Sequence, residues 1–334
     1  MARVVIASPL EPELVERLRA VDDRLEVVFE PDLLPPPRYP CDHAGDPAFT
    51  RTPAQEERFT QLVSEAEVLF GFPREEPEQI AWAVRIAPKL RFVQATFAGA
   101  GQQLAAAGLT REEVERIAWA SSAGVHATPL AEWSLLGILA LTKGLPALQR
   151  DKAARRWREH WPVGELRGQT LLVVGLGEIG REVARLGEAF GMRVEGVSRR
   201  EGDLDRLLPH ADAIVIALPL TAETRGLFDR TRLASMRPGA ILVNVGRGAV
   251  LDEQALVEAL RSGHLTGAAL DAFTEEPLPA DSALWELDNV IISPHTAALS
   301  VHENERIVEL FADNLRRYLA GEDIRSRIRT DLFY

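Results

Sequence analysis

The sequence predicts an α/β protein made of two doubly wound domains, each a parallel sheet covered by helices. Three observations carry that expectation. The chain has 334 residues, enough for two domains at roughly 150 residues each. Short apolar runs rich in Val and Ile alternate with helix-period segments from one end to the other, the pattern of strand–helix–strand units. Midway along, the glycine-rich turn Gly175-Leu176-Gly177-Glu178-Ile179-Gly180 sits between an apolar run and a helical one.

The elements follow in order. Strand-like runs lie at Val4–Ala7, Leu25–Phe29, Val68–Phe72, Phe92–Thr96 and Ile117–Ala120, with helical patterns such as Glu13–Ala20 and Ala54–Glu65 between them. Pro31 to Pro53 holds seven prolines and is long for a connection inside a compact domain; it reads as a large surface loop. Residues 128–148 read as one long helix with Thr128 as its N-cap and Pro129 in the first turn. Trp157 to Gly168 is an irregular charged and aromatic connection. Six further runs complete the second α/β unit: Leu171–Val174, Arg193–Val197, Ala213–Ala217, Ile241–Val245, Ala268–Ala272 and Val290–Ser293. The helix opened by the glycine turn carries the apolar stripe Ile179, Val183, Leu186 and Phe190, and the tail from Val301 to Leu319 is helical.

Composition bounds the partners. Apolar residues make up 46% and charged residues 26%, the mix of a globular chain. Against 38 basic side chains stand 50 acidic ones, a net charge of −12, which argues against nucleic acid or an anionic membrane as the partner. All but three of those basic residues are Arg, so a single Arg says little by its presence. One cysteine, Cys41, excludes a disulfide framework and a cysteine-based metal cluster. The longest apolar stretch, Leu135 to Leu141, is far shorter than the roughly 20 residues that span a bilayer. The expectation is a soluble, cytoplasmic protein.

The glycine turn binds a dinucleotide on its mechanics. Gly175 permits the tight turn, Gly177 lets the backbone approach a pyrophosphate, and Gly180 lets helix and strand pack closely, while the free N–H groups near Glu178 and Ile179 meet the phosphates. A plain strand–helix turn also uses glycine, but the strand before and the helix after favour the binding reading. About 20 residues on, an Asp or Glu would accept from the ribose 2′-hydroxyl of NAD. Here the strand ends in Ser198-Arg199-Arg200, two guanidinium groups and a hydroxyl suited to a 2′-phosphate. NADP is favoured over NAD, although Glu201 follows directly and offers an acid.

Three polar groups fall just past strand ends, the edge where open parallel sheets bind ligands. Arg247 lies between glycines in Asn244-Val245-Gly246-Arg247-Gly248, Glu276 follows Asp271-Ala272-Phe273, and His295 ends Ser293-Pro294-His295. An Arg fork clamps a carboxylate and polarises the adjoining carbonyl. A His donates or takes one proton as a hydride moves, and a Glu bonded to it orients it. Each alone is more often structural; together beside a dinucleotide turn they read as a catalytic set. The other histidines compete poorly: His43 lies in the long loop, His160 in the connection, and His210, His264 and His302 on helices or their ends, while His126 reads as a surface or capping residue. No histidine spacing suggests a metal site.

On these residues the chain resembles the D-isomer-specific 2-hydroxyacid dehydrogenase family, near its glyoxylate/hydroxypyruvate reductase branch. The marks are the GLGEIG turn, Leu218-Pro219-Leu220-Thr221 with Thr224, NVGRGAVLDE from Asn244, DAFTEEPLP from Asp271 and SPH ending at His295. The resemblance implies a flavodoxin-like substrate domain, residues 1–123 with 299–334, and a Rossmann nucleotide domain, residues 124–298. It implies that Arg247 binds the substrate carboxylate and carbonyl, that His295 donates the proton and that Glu276 is its partner. Asp271 and the backbone near Val245 would hold the nicotinamide carboxamide, Leu218 and Pro219 would line the adenosine side, and Thr224 belongs to the same cofactor segment. Ala98-Gly99-Ala100 matches the turn whose N–H groups receive the carboxylate, and the family forms homodimers through the nucleotide domain. Two departures stand out: the acidic residue after the second nucleotide-domain strand is missing, and Thr296-Ala297-Ala298 replaces glycines after the histidine. Glu276 separates the chain from the formate dehydrogenase branch, which has an amide there.

The leading function is reduction of a small 2-keto acid, glyoxylate or hydroxypyruvate, with NAD(P)H. The alternatives are an NAD-dependent dehydrogenase of a larger D-2-hydroxy acid and a non-catalytic, nucleotide-sensing binding module. The loop Pro31–Pro53, with Tyr39, His43 and Phe49, is expected to border the cleft mouth and to limit which keto acids enter.

Overall fold

A computed structural model describes residues 1–73, 76–199 and 202–331. By its internal contacts the chain divides into two compact units, residues 1–126 with 299–334, and residues 127–298.

The first unit holds β1 (Ala2–Ile6), β2 (Leu25–Val28), β3 (Val68–Phe70), β4 (Phe92–Gln94) and β5 (Ala118–Ala120) in the order β2-β1-β3-β4-β5. Every pairing is parallel. Because side chains alternate across a strand, Val5, Leu69 and Val93 pack into one apolar layer. Val4, Ile6, Val68, Phe70 and Phe92 pack into the opposite one. The C-terminal helix Glu303–Ala320 covers that second layer, placing Phe311 with its ring 5.1 Å from Phe70 and 5.8 Å from Phe92.

The second unit holds β6 (Thr170–Val174), β7 (Arg193–Val197), β8 (Ala213–Ile216), β9 (Ile241–Asn244), β10 (Gly267–Leu270) and β11 (Val290–Ile292). Their order is β11-β10-β9-β8-β6-β7, again all parallel. One face is covered by the helix Ala127–Thr142, whose Gly137 lies so close to the sheet that a Cβ there would stand 2.5 Å from that of Ala269. The fold class expected from the sequence is the one observed, two parallel α/β sheets covered by helices on both faces.

Four expectations need correction. The helix over residues 128–148 is two helices, Ala127–Thr142 and Leu145–Ala153. Gly144 between them adopts φ +69°, a left-handed conformation that ends the first helix. The first helix also starts at Ala127, so Thr128 lies in its first turn rather than at its N-cap. Phe190, the last member of the expected apolar stripe, lies beyond the end of its helix and is 45% exposed. Nor is Pro31–Pro53 a plain surface loop. It opens with a 3-10 turn, Pro31–Leu33, and buries Leu33, Leu34, Cys41 and Asp42. Asp42 accepts from Arg38 Nε (2.6 Å), from Arg38 Nη2 (3.0 Å) and from the Gly45 N–H (3.1 Å), tying the loop to itself. The Arg38 guanidinium beside Asp42 holds that carboxyl at about 2.

Candidate active site

Within the second unit one sheet edge carries a series of polar and glycine-rich loops. Across the sheet order, His295 follows β11, Glu276 follows β10, Arg247 follows β9, Leu218–Thr224 follow β8, the glycine turn follows β6 and Ser198-Arg199 follow β7. All of these strands are parallel, so all of these loops leave the carboxyl edge. At roughly 4.8 Å per strand, six strands give a ledge about 24 Å long.

The glycine turn fits a pyrophosphate. Gly175 has φ +108°, and a Cβ there would stand 2.5 Å from the Ala217 carbonyl oxygen. A Cβ on Gly180 would overlap the Gly175 carbonyl, whereas Gly177 faces open space. Gly177 is also the N-cap of the helix Glu178–Ala189, and no side chain caps that helix. Its first N–H groups are therefore left for an anion. Ser198 and Arg199 follow directly on β7, and Arg199 Nη2 lies 2.6 Å from Glu223 Oε2. Arg200 and Glu201 lie outside the described residues. Thr224 closes its own loop: Oγ1 donates to the Pro219 carbonyl (2.7 Å) and accepts from the Thr221 N–H (2.8 Å).

At the other end of the ledge three loops interlock. Gly246 packs on the backbone of Leu218, and Gly248 on that of Phe273; a Cβ on Gly248 would overlap the Phe273 carbonyl. Glycine on both sides of Arg247 is thus a packing requirement. Buried Asn244, which sequence reasoning missed, fixes the turn between them. Its Oδ1 accepts from the Gly246 N–H (3.0 Å) and its Nδ2 donates to the Arg247 carbonyl (3.2 Å). The signal was its place at a strand end two residues before a glycine, where Asn closes a turn on its own backbone.

His295 and Glu276 meet. The His295 Nδ1 lies 2.8 Å from Glu276 Oε2, and the Phe273 N–H donates to Glu276 Oε1 at 2.9 Å. Burial pushes the Glu276 carboxyl up, but the His295 and Phe273 bonds and the charges of His295 and Arg247 outweigh it, leaving it below its ordinary value. An ionised carboxylate only accepts, so Nδ1 carries the proton toward it and Nε2 is the nitrogen left to act. His295 itself adopts φ +55°, an uncommon conformation for a side-chain-bearing residue. Buried Asp271 braces the chain beyond the histidine, since its Oδ1 accepts from the Ala297 N–H at 3.0 Å. Burial raises its pKa, against hydrogen bonds from Ser293 and Ala297. The Val245 N–H is committed to the Ile216 carbonyl.

In the first unit, Ala98-Gly99-Ala100 lies past β4, with Gly99 as N-cap of the short helix Ala100–Ala106. That unit also holds a cluster that sequence reasoning missed. Glu303 is buried, with Oε1 3.1 Å from His126 Nε2 and 3.5 Å from His43 Nε2. Burial raises the Glu303 carboxyl, and hydrogen bonds and charge from the two histidines bring it down to about 2. The sequence places His43 in the long loop, where it lies, and reads His126 as a surface or capping residue; both side chains are nine-tenths buried or nearly so. Partners 177 and more residues apart leave no local pattern to read. Among the described residues no group of three or more His, Cys, Asp or Glu is placed to hold a metal ion, and no helix is long and apolar enough to cross a membrane.

Residues 135–297 match the family model described as D-isomer specific 2-hydroxyacid dehydrogenase, NAD binding domain. The chain is 39% identical to an (S)-sulfolactate dehydrogenase of Chromohalobacter salexigens over 59% of its own length and 68% of that protein's. It is 37% identical to a glyoxylate reductase of Thermofilum pendens over 60% and 64% of the two lengths. It thus spans about two thirds of the length of these curated relatives. A D-isomer specific 2-hydroxyacid dehydrogenase family protein from Aeromonas salmonicida superposes with a TM-score of 0.77 at 30% identity, covering 99% of each chain. A D-isomer specific 2-hydroxyacid dehydrogenase from Xanthobacter autotrophicus Py2, solved in complex with NADPH and MES, superposes with a TM-score of 0.75 at 27% identity, covering 100% of this chain and 99% of that one.

Proposed function

The chain belongs to the D-isomer specific 2-hydroxyacid dehydrogenase family, and from that premise we propose that it reduces a small 2-keto acid to the D-2-hydroxy acid, using NADPH in preference to NADH. The observation that carries this reading is the 2.8 Å pairing of His295 with Glu276, on loops that follow adjacent strands, with Arg247 on the loop after the next one. The glycine turn and the uncapped helix Glu178–Ala189 would hold the pyrophosphate, and Ser198, Arg199 and Arg200 the 2′-phosphate. Leu218 and Pro219 would line the adenosine side, Thr224 would keep that loop closed, and Val245 and Asp271 would border the carboxamide. When bound, the reduced nicotinamide supplies a hydride.

The rest falls to the protein's own groups. Arg247 clamps the substrate carboxylate with its planar fork and draws electron density from the carbonyl. His295 gives a proton from Nε2 to the carbonyl oxygen as that oxygen gains charge. Glu276 holds the ring by Nδ1 and so orients Nε2. A glyoxylate reductase and an (S)-sulfolactate dehydrogenase among the relatives support a small acidic substrate. The exposed apolar side chains Leu145, Leu148, Trp157 and Val163, close in sequence on the second unit, support a homodimer.

The test is a panel of 2-keto acids, glyoxylate and hydroxypyruvate first, assayed with NADPH and with NADH by loss of nicotinamide absorbance. Turnover of small keto acids, faster with NADPH, is expected. Cofactor binding without turnover of any keto acid would leave the nucleotide-sensing reading in its place.

A further inference from the structure

The ion pair between Arg199 and Glu223 spans three neighbouring strands. Arg199 follows β7 and Glu223 lies in the loop after β8, while β6, with the glycine turn at its end, lies between those two strands in the sheet. The pair therefore joins the loops on either side of the glycine turn. Glu223 is presented by a closed turn, since Thr221 and Thr224 on either side of it bond to each other and Thr224 Oγ1 also donates to the Pro219 carbonyl. Both partners are mostly exposed, 61% and 69%, so the pair is weak and easily exchanged.

A 2′-phosphate is a stronger partner for a guanidinium than a carboxylate is. It brings close to two negative charges and three acceptor oxygens, and it takes the Arg fork in a bidentate fashion. A neutral 2′-hydroxyl has no such advantage. We propose that Glu223 is a coenzyme-selectivity residue. Its carboxylate occupies Arg199 when no 2′-phosphate is present, must be displaced when NADPH binds, and then stands as a like charge beside the phosphate. Glu223 thus weakens NADPH selectively and narrows the preference that Arg199 creates, without touching NADH. This rests on the nicotinamide-cofactor reading above.

The experiment is equilibrium binding of NADPH and NADH to the full chain, followed by nicotinamide fluorescence, for the wild type, Glu223→Gln, Arg199→Gln and the double variant. Glu223→Gln is expected to tighten NADPH about two- to five-fold, the range of an exposed ion pair, with NADH unchanged. In the Arg199→Gln background, where no ion pair has to be exchanged and only the like charge remains, the same substitution should tighten NADPH less than it does in the wild type. Weaker NADPH binding in Glu223→Gln would mean that Glu223 orients Arg199 for the phosphate, and would overturn the proposal. An equal change for both cofactors would overturn it too. If the wild-type chain binds neither cofactor, the cofactor reading itself fails, a result distinct from either of these.

Discussion

On the proposed mechanism His295 and Glu276 divide the work of one acid. The Glu276 carboxylate is held below its ordinary pKa, so it stays ionised from mildly acid to alkaline pH and faces Nδ1 throughout. Replacing it with Gln removes the charge and leaves one amide oxygen for two donors, the Phe273 N–H and His295 Nδ1. The kcat of keto-acid reduction should then fall with cofactor affinity unchanged; an unchanged kcat would take Glu276 out of the mechanism. Arg247→Lys keeps the charge but loses the fork, and it should raise KM and lower kcat together. A near-normal Lys variant would take the planar fork out of carboxylate binding. At this scale the motif residues were legible because each sits one to six residues past an apolar run. The side chains that fix them were harder to see. Asn244 was passed over although a strand-end Asn two residues before a glycine marks a turn, and Asp271, placed by the resemblance only beside the carboxamide, braces the backbone after His295.

Strands were legible as elements because β-branched runs have one reading when turns bound them, although eight of the eleven stop one or two residues early as the chain turns into its loops. Helices were less so. Gly144 reads as an interior helix residue, and only its left-handed φ separates the two helices. The loop Pro31–Pro53 hid its anchors because proline spacing says nothing about which leucines face inward. Its tie can be tested directly. Asp42 has a pKa of about 2 in the folded chain against an ordinary 3.8, so its contribution to stability is complete above the ordinary carboxylate range and is lost as pH falls from there toward 2. Asp42→Asn should therefore lower the denaturation midpoint at neutral pH and make the loop more open to proteolysis. Equal protease sensitivity in wild type and variant would show that Arg38 and Gly45 do not depend on that charge.

The whole molecule was read correctly in class and family because alternating elements and several ordered motifs agree across its length. What could not be read is how distant segments meet. Glu303 joins residue 43 in the long loop, residue 126 at the end of one stretch of the first unit, and the start of the C-terminal helix. Its folded pKa of about 2 lies below the ordinary 4.5, so the stability it contributes is present above that range and disappears as pH falls through it. Glu303→Gln should cost about 3 kcal/mol in denaturant unfolding at neutral pH, the scale of a broken buried pair. The difference from wild type should shrink as pH drops toward 2. A gap that stays constant with pH would mean the loss is one of packing.

The catalytic reading stands or falls on His295 as the proton donor in a working reductase. The direct measurement is the steady-state rate of glyoxylate and hydroxypyruvate reduction by wild type and His295→Ala, with NADPH binding measured on the same samples. Wild type should turn over at least one of these acids, and His295→Ala should lose about 10² to 10⁴ in kcat while binding NADPH as tightly as before. A wild type that binds NADPH but reduces no 2-keto acid, or a His295→Ala variant that reduces them as fast, would contradict it.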